Sequence, residues 1–187
     1  MNITRRSMAA TALAAAFVLG PLAVLPAHAD GREELAADGI QALHQLEHVN
    51  PGSRFYARHA KAVLIFPSVL KAGFVFGGET GNGVLLIDGK PEAYYNLSGG
   101  SWGLQIGGQG FSYALFFMTD SSLDYLSRSE GFSAGTGPSI VVVNTGAGAE
   151  ADTTTLTHDV YAFPFNQRGL MADLTLQGTK IPKIHPH

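Results

Sequence analysis

The chain has 187 residues, 45% of them hydrophobic and 14% charged, against roughly 25% charged in an average soluble domain. It contains no cysteine, which excludes disulfide scaffolds, thiolate metal sites, cysteine nucleophiles and a lipid-modified N-terminal cysteine. Glycine fills 23 positions without a period of three, so the chain is not collagen-like.

Residues 1–29 read as an export signal. Arg5 and Arg6 precede an apolar stretch from Met8 to Leu25, and Ala27-His28-Ala29 supplies a small-residue cut site. Thr4-Arg5-Arg6-Ser7-Met8 also fits the twin-arginine version of such signals. Cleavage after Ala29 would leave residues 30–187 as one domain, with 10 basic against 15 acidic residues and a net charge of −5. Nucleic acid is therefore not an expected partner. No later apolar run approaches the ~20 residues of a spanning helix. The expected location is the periplasm or the exterior, with peripheral membrane contact as an option.

Residues 31–48 carry Leu35, Ala36, Gly39, Ile40, Leu43 and Leu46 at helical spacing, and the opposite face holds Glu34, Asp38, Gln41, His44, Gln45 and His48. Asn50-Pro51-Gly52 ends that helix, and Ser53 is placed to cap a second one reaching about Lys61. Strands follow. Val63–Phe66 is a buried run expected to stop at Pro67, and Gly73–Phe76 opens another segment. Val84–Ile87 closes on Asp88-Gly89, a hairpin signal. Tyr95 and Leu97 are apolar at odd positions, whereas Trp102, Leu104 and Ile106 are apolar at even ones. This parity change predicts a bulge or bend at Gly99-Gly100.

Phe111–Met118 reads as an aromatic strand, and Thr119-Asp120 as the cap of a helix carrying Leu123 and Leu126. Ile140–Val143 reads as a buried strand, Asn144–Gly148 as a mobile turn, and Leu156–Phe165 as a strand stopped near Pro164. Leu170, Ala172, Leu174 and Leu176 alternate like a half-exposed strand. Helices come first and strands second, which predicts an α+β fold: N-terminal helices packed on a curved antiparallel sheet that curls towards a barrel.

No enzyme, metal or cofactor reading emerges from the motifs. His44-Gln45-Leu46-Glu47-His48 matches H-x-x-E-H, but its histidines fall on the polar helix face, away from any cleft floor. Gly99–Gly103 and Gly131–Gly135 match G-x-S-x-G, yet strand pattern follows each where a nucleophile elbow needs a helix. Gly103–Gly110 lacks dinucleotide spacing. What remains is a basic stripe, Arg54, Arg58 and Lys61 at i, i+4 and i+7, with Lys71 shortly after. Such a stripe suits anionic headgroups, with Phe55-Tyr56 as an interfacial apolar contact.

Ala60-Lys61-Ala62 and Ser68-Val69-Leu70-Lys71-Ala72-Gly73-Phe74 resemble a SYLF domain, the lipid-binding family of the yeast actin-patch proteins and their exported bacterial relatives. The likeness continues through Gly81–Val84, Gly103–Gly107, Tyr113–Asp120, Gly137-Pro138, Val160–Phe163 and Arg168–Ala172. It implies a non-enzymatic protein that binds anionic phospholipid, with Lys61, Lys71 and Arg168 at family basic positions. Actin is not an expected partner of an exported chain. The second reading is a structural or interaction module of the envelope that contacts protein or cell wall.

Overall fold

The computed structural model describes residues 31–73, 76–102, 107–128, 132–133, 137–143, 156–168, 176 and 178–186. Two helices, α1 (Gly31–Val49) and α2 (Ser53–His59), precede four long strands, β1 (Ala62–Gly73), β2 (Phe76–Ile87), β3 (Lys90–Trp102) and β4 (Gly107–Phe117). Next come α3 (Asp120–Arg128), β5 (Phe132–Ser133), β6 (Ile140–Val142), β7 (Val160–Arg168), β8 (Thr179–Ile181) and β9 (Lys183–Ile184). The strands form one curled sheet in the order β5-β8-β3-β2-β1-β4-β7-β6, with β9 paired to β3. The α+β class with a curved sheet is therefore as expected. The sheet is mixed, not purely antiparallel, because β6 runs parallel to β7. Among the described residues no ladder joins β5 to β6, so it stays an open half-barrel.

The outer face of the curl is half covered by helices. Ala36, Gly39, Ala42 and Leu46 form the buried stripe of α1. A Cβ on Gly39 would collide with the Val84 side chain, so the helix axis can come close to the sheet only where the stripe is small. Leu35, Ile40 and Leu43, expected to be buried with Leu46, are only half-buried on its flanks. The six polar positions opposite, His44 and His48 included, are exposed as the periodicity predicts. The hydroxyl of Ser53 does not cap α2: Gly52 takes that place without a side-chain cap, and Ser53 Oγ is buried without a hydrogen bond. Tyr56 packs from α2 onto Phe116, Tyr161 and Phe163, in a cluster with Val63, Ile65 and Ala114.

The inner face holds the larger core, with Leu64, Phe66, Val69, Tyr95, Leu97, Phe111, Leu115 and Phe117 closed over by Leu126 and Phe132. Thr119 Oγ1 accepts from the Ser122 N–H at 3.2 Å, the predicted cap that starts α3. Asp88 and Gly89 take φ of +51° and +73°, the two left-handed residues that a tight hairpin needs. The predicted break at Gly99-Gly100 is absent. The β2–β3 ladder runs unbroken from Leu85↔Ala93 to Phe76↔Trp102, and its irregularity lies at Glu92. Tyr95, Leu97 and Gly99 continue along the inner face, and a Cβ on Gly99 would meet Glu79 Oε1 at 2.9 Å and Thr179 Oγ1 at 3.1 Å. The inner face turns polar there; it does not change sides.

Neither proline stops its strand. At Pro67-Ser68 two residues of β1 oppose the single Ser112 of β4, a bulge that absorbs the missing N–H. Pro164 lies on β7 beyond Ala162, past the end of β6, where no described strand pairs with that edge. The predictions for Phe74-Val75, Leu104 and Ile106, Asn144–Gly148 and Leu170–Leu174 lie outside the described residues. Among the described residues no helix is long and apolar enough to cross a membrane.

Candidate functional site

The predicted basic residues do not form one patch. Arg54 and Arg58 project from α2 and are exposed. The helix ends at His59, and Ala60 is extended, so Lys61 lies outside it and the i+7 relation fails. Lys61 is exposed beside Asp120, Nζ to Oδ2 3.4 Å, and Arg54 Nε lies 3.9 Å from Glu47 Oε2. Exposed pairs of this kind leave most of each cation's charge available to solvent and ligands.

Lys71 is a correction. It is only 4% exposed, on the inner face of the sheet, directly opposite Glu79 on β2 and Gln109 on β4. The bulge at Pro67-Ser68 is the reason. On β1, Leu64 and Phe66 face inward; the extra residue inverts the alternation, so Val69 and Lys71 face inward and Leu70 faces out. Tyr56 is a second correction: it is 3% exposed within the core, so it cannot touch a membrane. Burial, then the neighbouring Tyr161, raises its phenol pKa above the ordinary value. Phe55 is half-buried, with its ring 4.4 Å from that of His59.

Arg168 ends β7 and is exposed. Nine residues of extended chain separate Lys61 from Leu70, roughly 25–30 Å, and Arg168 lies at the Leu70 level of the sheet, so the two cationic regions are distinct surfaces. A second bulge sets Arg168. Asn166 and Gln167 on β7 oppose the single Phe111 of β4, and Asn166 takes φ +54°, a conformation uncommon for a residue with a side chain. Tyr161, Phe163 and Phe165 pack under the helices, and without the extra residue Arg168 would face inward.

Between the two bulges lies a cleft of about 300 Å³, lined by Gln45, Pro67, Ser68, Gly110, Phe111, Ser112, Asn166 and Arg168. Ser112 Oγ donates to the Pro67 carbonyl at 2.7 Å, and Asn166 Nδ2 donates to Ser112 Oγ at 3.3 Å and to Gln45 Oε1 at 2.9 Å. One chain of hydrogen bonds thus ties α1, β1, β4 and β7 around a polar recess with a guanidinium at its rim. Single-chain reasoning missed this cleft. Its trace was available in the slip from Leu64 and Phe66 to Val69 across Pro67, which is the bulge written in apolar spacing.

Among the described residues no three His, Asp or Glu side chains converge as metal ligands. Of the two G-x-S-x-G segments, Gly99–Trp102 lies within β3 and Phe132-Ser133 forms β5, while the residues that follow each lie outside the described ones.

No curated protein matches the chain. Residues 98–184, from late β3 to β9, match the family described as Ysc84, Las17-binding protein actin regulator. That span includes Arg168, the rim of the cleft, but not the α2 cations. Residues 98–184 are thus similar to a SYLF (Ysc84) domain, in agreement with the resemblance read from the sequence.

Proposed function

We propose that this chain is a non-enzymatic lipid-binding protein of the bacterial envelope that engages anionic phospholipid at a membrane surface. The observation that carries the reading is the similarity of residues 98–184 to SYLF, a family of lipid-binding domains, on a chain whose candidate cations Arg54, Arg58, Lys61 and Arg168 are exposed. Arg5-Arg6 and the Ala27-His28-Ala29 cut site support export, and export separates the chain from actin. Lys71 and Tyr56, being buried, take no part at the surface.

Each Lys or Arg near an anionic surface contributes about 1 kcal/mol, so Arg54, Arg58 and Lys61 at one end supply roughly 3 kcal/mol and Arg168 at the other about 1 kcal/mol, an affinity weaker than about 1 mM from either region. A net charge of −5 does not forbid this, since screening over ~8 Å at physiological salt isolates a local patch from the rest. Charge alone is weak, and an exposed aliphatic group reaching the acyl boundary would add about 1.5–3 kcal/mol. The test is flotation of the protein with vesicles of phosphatidylglycerol in phosphatidylcholine, at low and raised salt. Capture that depends on phosphatidylglycerol and weakens with salt is expected. Equal capture by pure phosphatidylcholine, or none by either, overturns the proposal.

A further inference from the structure

The half of the outer sheet face that no described helix covers is built in an unusual way. Directly opposed residues share a face, so one row runs Arg168, Gly110, Leu70, Thr80, Ser98, Lys180 across β7, β4, β1, β2, β3 and β8. Leu70 is 56% exposed, one of two large hydrophobic residues so exposed among the described residues. Around it the described part of the sheet is nearly bare. A Cβ at Gly100, Gly108 or Gly110 would meet nothing within 4 Å, and at Gly78 only a backbone oxygen at 3.8 Å. Two independent bulges, in β1 and β7, are what turn Leu70 and Arg168 outward on this same face. Bulges that re-aim side chains commonly mark functional surfaces.

We infer that this glycine-paved face is where the protein docks on an anionic bilayer, with Leu70 entering the acyl boundary and a lipid phosphate held in the cleft at Arg168. The inference rests on the lipid-binding reading above and names the surface that serves it. Charge selects the occupant. The row ends in a cation on either side, Arg168 and Lys180, both exposed, and none of its other members is charged. A second copy of the chain meeting this face symmetrically would set like charges against each other. Beside its one projecting leucine this face has a polar recess and not the apolar pocket that anchors a protein partner, an arrangement that suits a soft apolar phase beneath a layer of phosphates. The cleft beside Leu70 adds neutral donors to the guanidinium, because Gln45 accepts through Oε1 and keeps its Nε2 for a guest.

The experiment uses the protein purified from cells expressing all 187 residues, with vesicles of phosphatidylglycerol in phosphatidylcholine. Leu70→Asp and Arg168→Glu should each lower vesicle partitioning by about tenfold or more, while Leu70→Met retains it and Val49→Asp, at the other exposed hydrophobic, leaves it unchanged. Thermal melts check that each variant is folded. The chain has no cysteine, so Leu70→Cys carries a single environment-sensitive fluorophore, whose emission should shift to the blue on adding vesicles. If the wild type floats but the Leu70 and Arg168 variants float equally well, or the label does not shift, lipid binds elsewhere and the docking face is wrong. A label shift that follows protein concentration without vesicles means self-association and overturns it too. Failure of the wild type to float at all is a different result: it removes the lipid-binding reading itself, and this inference with it.

Discussion

Ser112 Oγ, on β4, donates a 2.7 Å hydrogen bond to the carbonyl oxygen of Pro67, inside the bulge of β1. The bond joins the two strands at the level where their ladder is interrupted, and Ser112 is buried while it does so. A bulge leaves backbone groups without ladder partners, and a side-chain hydroxyl from the facing strand restores one of them. Ser112→Ala should therefore cost about 1–3 kcal/mol, the penalty for a covered acceptor losing its donor. Urea denaturation measures it, and a midpoint unchanged from wild type would show that the bulge is held by packing alone.

The strand facing the bulge also has to make room for it. A Cβ on Gly83 would sit 2.5 Å from the Ile65 carbonyl oxygen and 2.5 Å from the Phe66 ring, and one on Gly81 would sit 2.6 Å from the Ser68 carbonyl oxygen. Gly83→Ala should destabilise by roughly 1–3 kcal/mol, as overpacking does when backbone is the obstacle. Gly100→Ala is the matched control in open space, where stability should hold or rise by up to about 1 kcal/mol. Equal effects at both positions would mean that crowding at the bulge is not what requires glycine.

Much of the fold was legible where periodicity is simple. Both N-terminal helices, the Asp88-Gly89 hairpin, the Thr119 cap and the α+β order all follow from spacing and turn chemistry. The site was less legible because it depends on bulges, which displace alternation by one residue without any composition signal of their own. Lys71 illustrates this. Two residues after the buried Val69 it shares that residue's inward face, but locating Val69 requires knowing that Pro67-Ser68 adds a residue. The opposite error occurred at Gly99-Gly100, where glycines and a parity change suggested a bulge and the ladder is continuous. Glycine there makes room for Glu79 and Thr179 instead. Tyr56 was misplaced because α2 was read by its charged stripe, while its burial is set by aromatic neighbours from β4 and β7, distant in sequence.

Asp159 supplies a pH dependence with a definite sign. Its carboxylate accepts from the Ser139 backbone N–H at 3.0 Å and from Ser139 Oγ at 2.9 Å, with Thr119 Oγ1 adding a third donor at 3.2 Å. The Ser139 backbone bond first, then its hydroxyl, hold the Asp159 pKa below its ordinary value, against the opposing effect of partial burial. A depressed carboxylate contributes stability that is present above the unfolded pKa of ~3.9 and is lost as pH falls through the lower folded value. Stability should therefore begin to decline below about pH 4. Asp159→Asn should be less stable at neutral pH and show a shallower loss in that acid range. Parallel acid limbs for the two proteins would assign the dependence to other carboxylates.

Lys71 and Glu79 face each other across the β1–β2 ladder with 4% and 8% exposure, and Glu79 Oε1 accepts from the buried Thr179 hydroxyl at 2.9 Å. The two side chains share the inner face, although no hydrogen bond or ion pair within 4.0 Å joins them. Lys71→Glu would set two buried carboxylates opposite one another, and Lys71→Met would leave Glu79 without a cation. Breaking a buried ion pair in contact typically costs about 3–5 kcal/mol, and two opposed side chains that are not in contact should couple by less than that. Lys71→Met should therefore be destabilising, and Lys71→Met combined with Glu79→Gln should recover part of the loss if the two groups interact, a coupling energy that a double-mutant cycle reads. Vesicle flotation gives the second readout. If Lys71 acts only through the fold, the folded fraction of Lys71→Met should float like wild type. A stable Lys71→Met protein that no longer floats would place Lys71 at the lipid after all, reached from within the curled sheet.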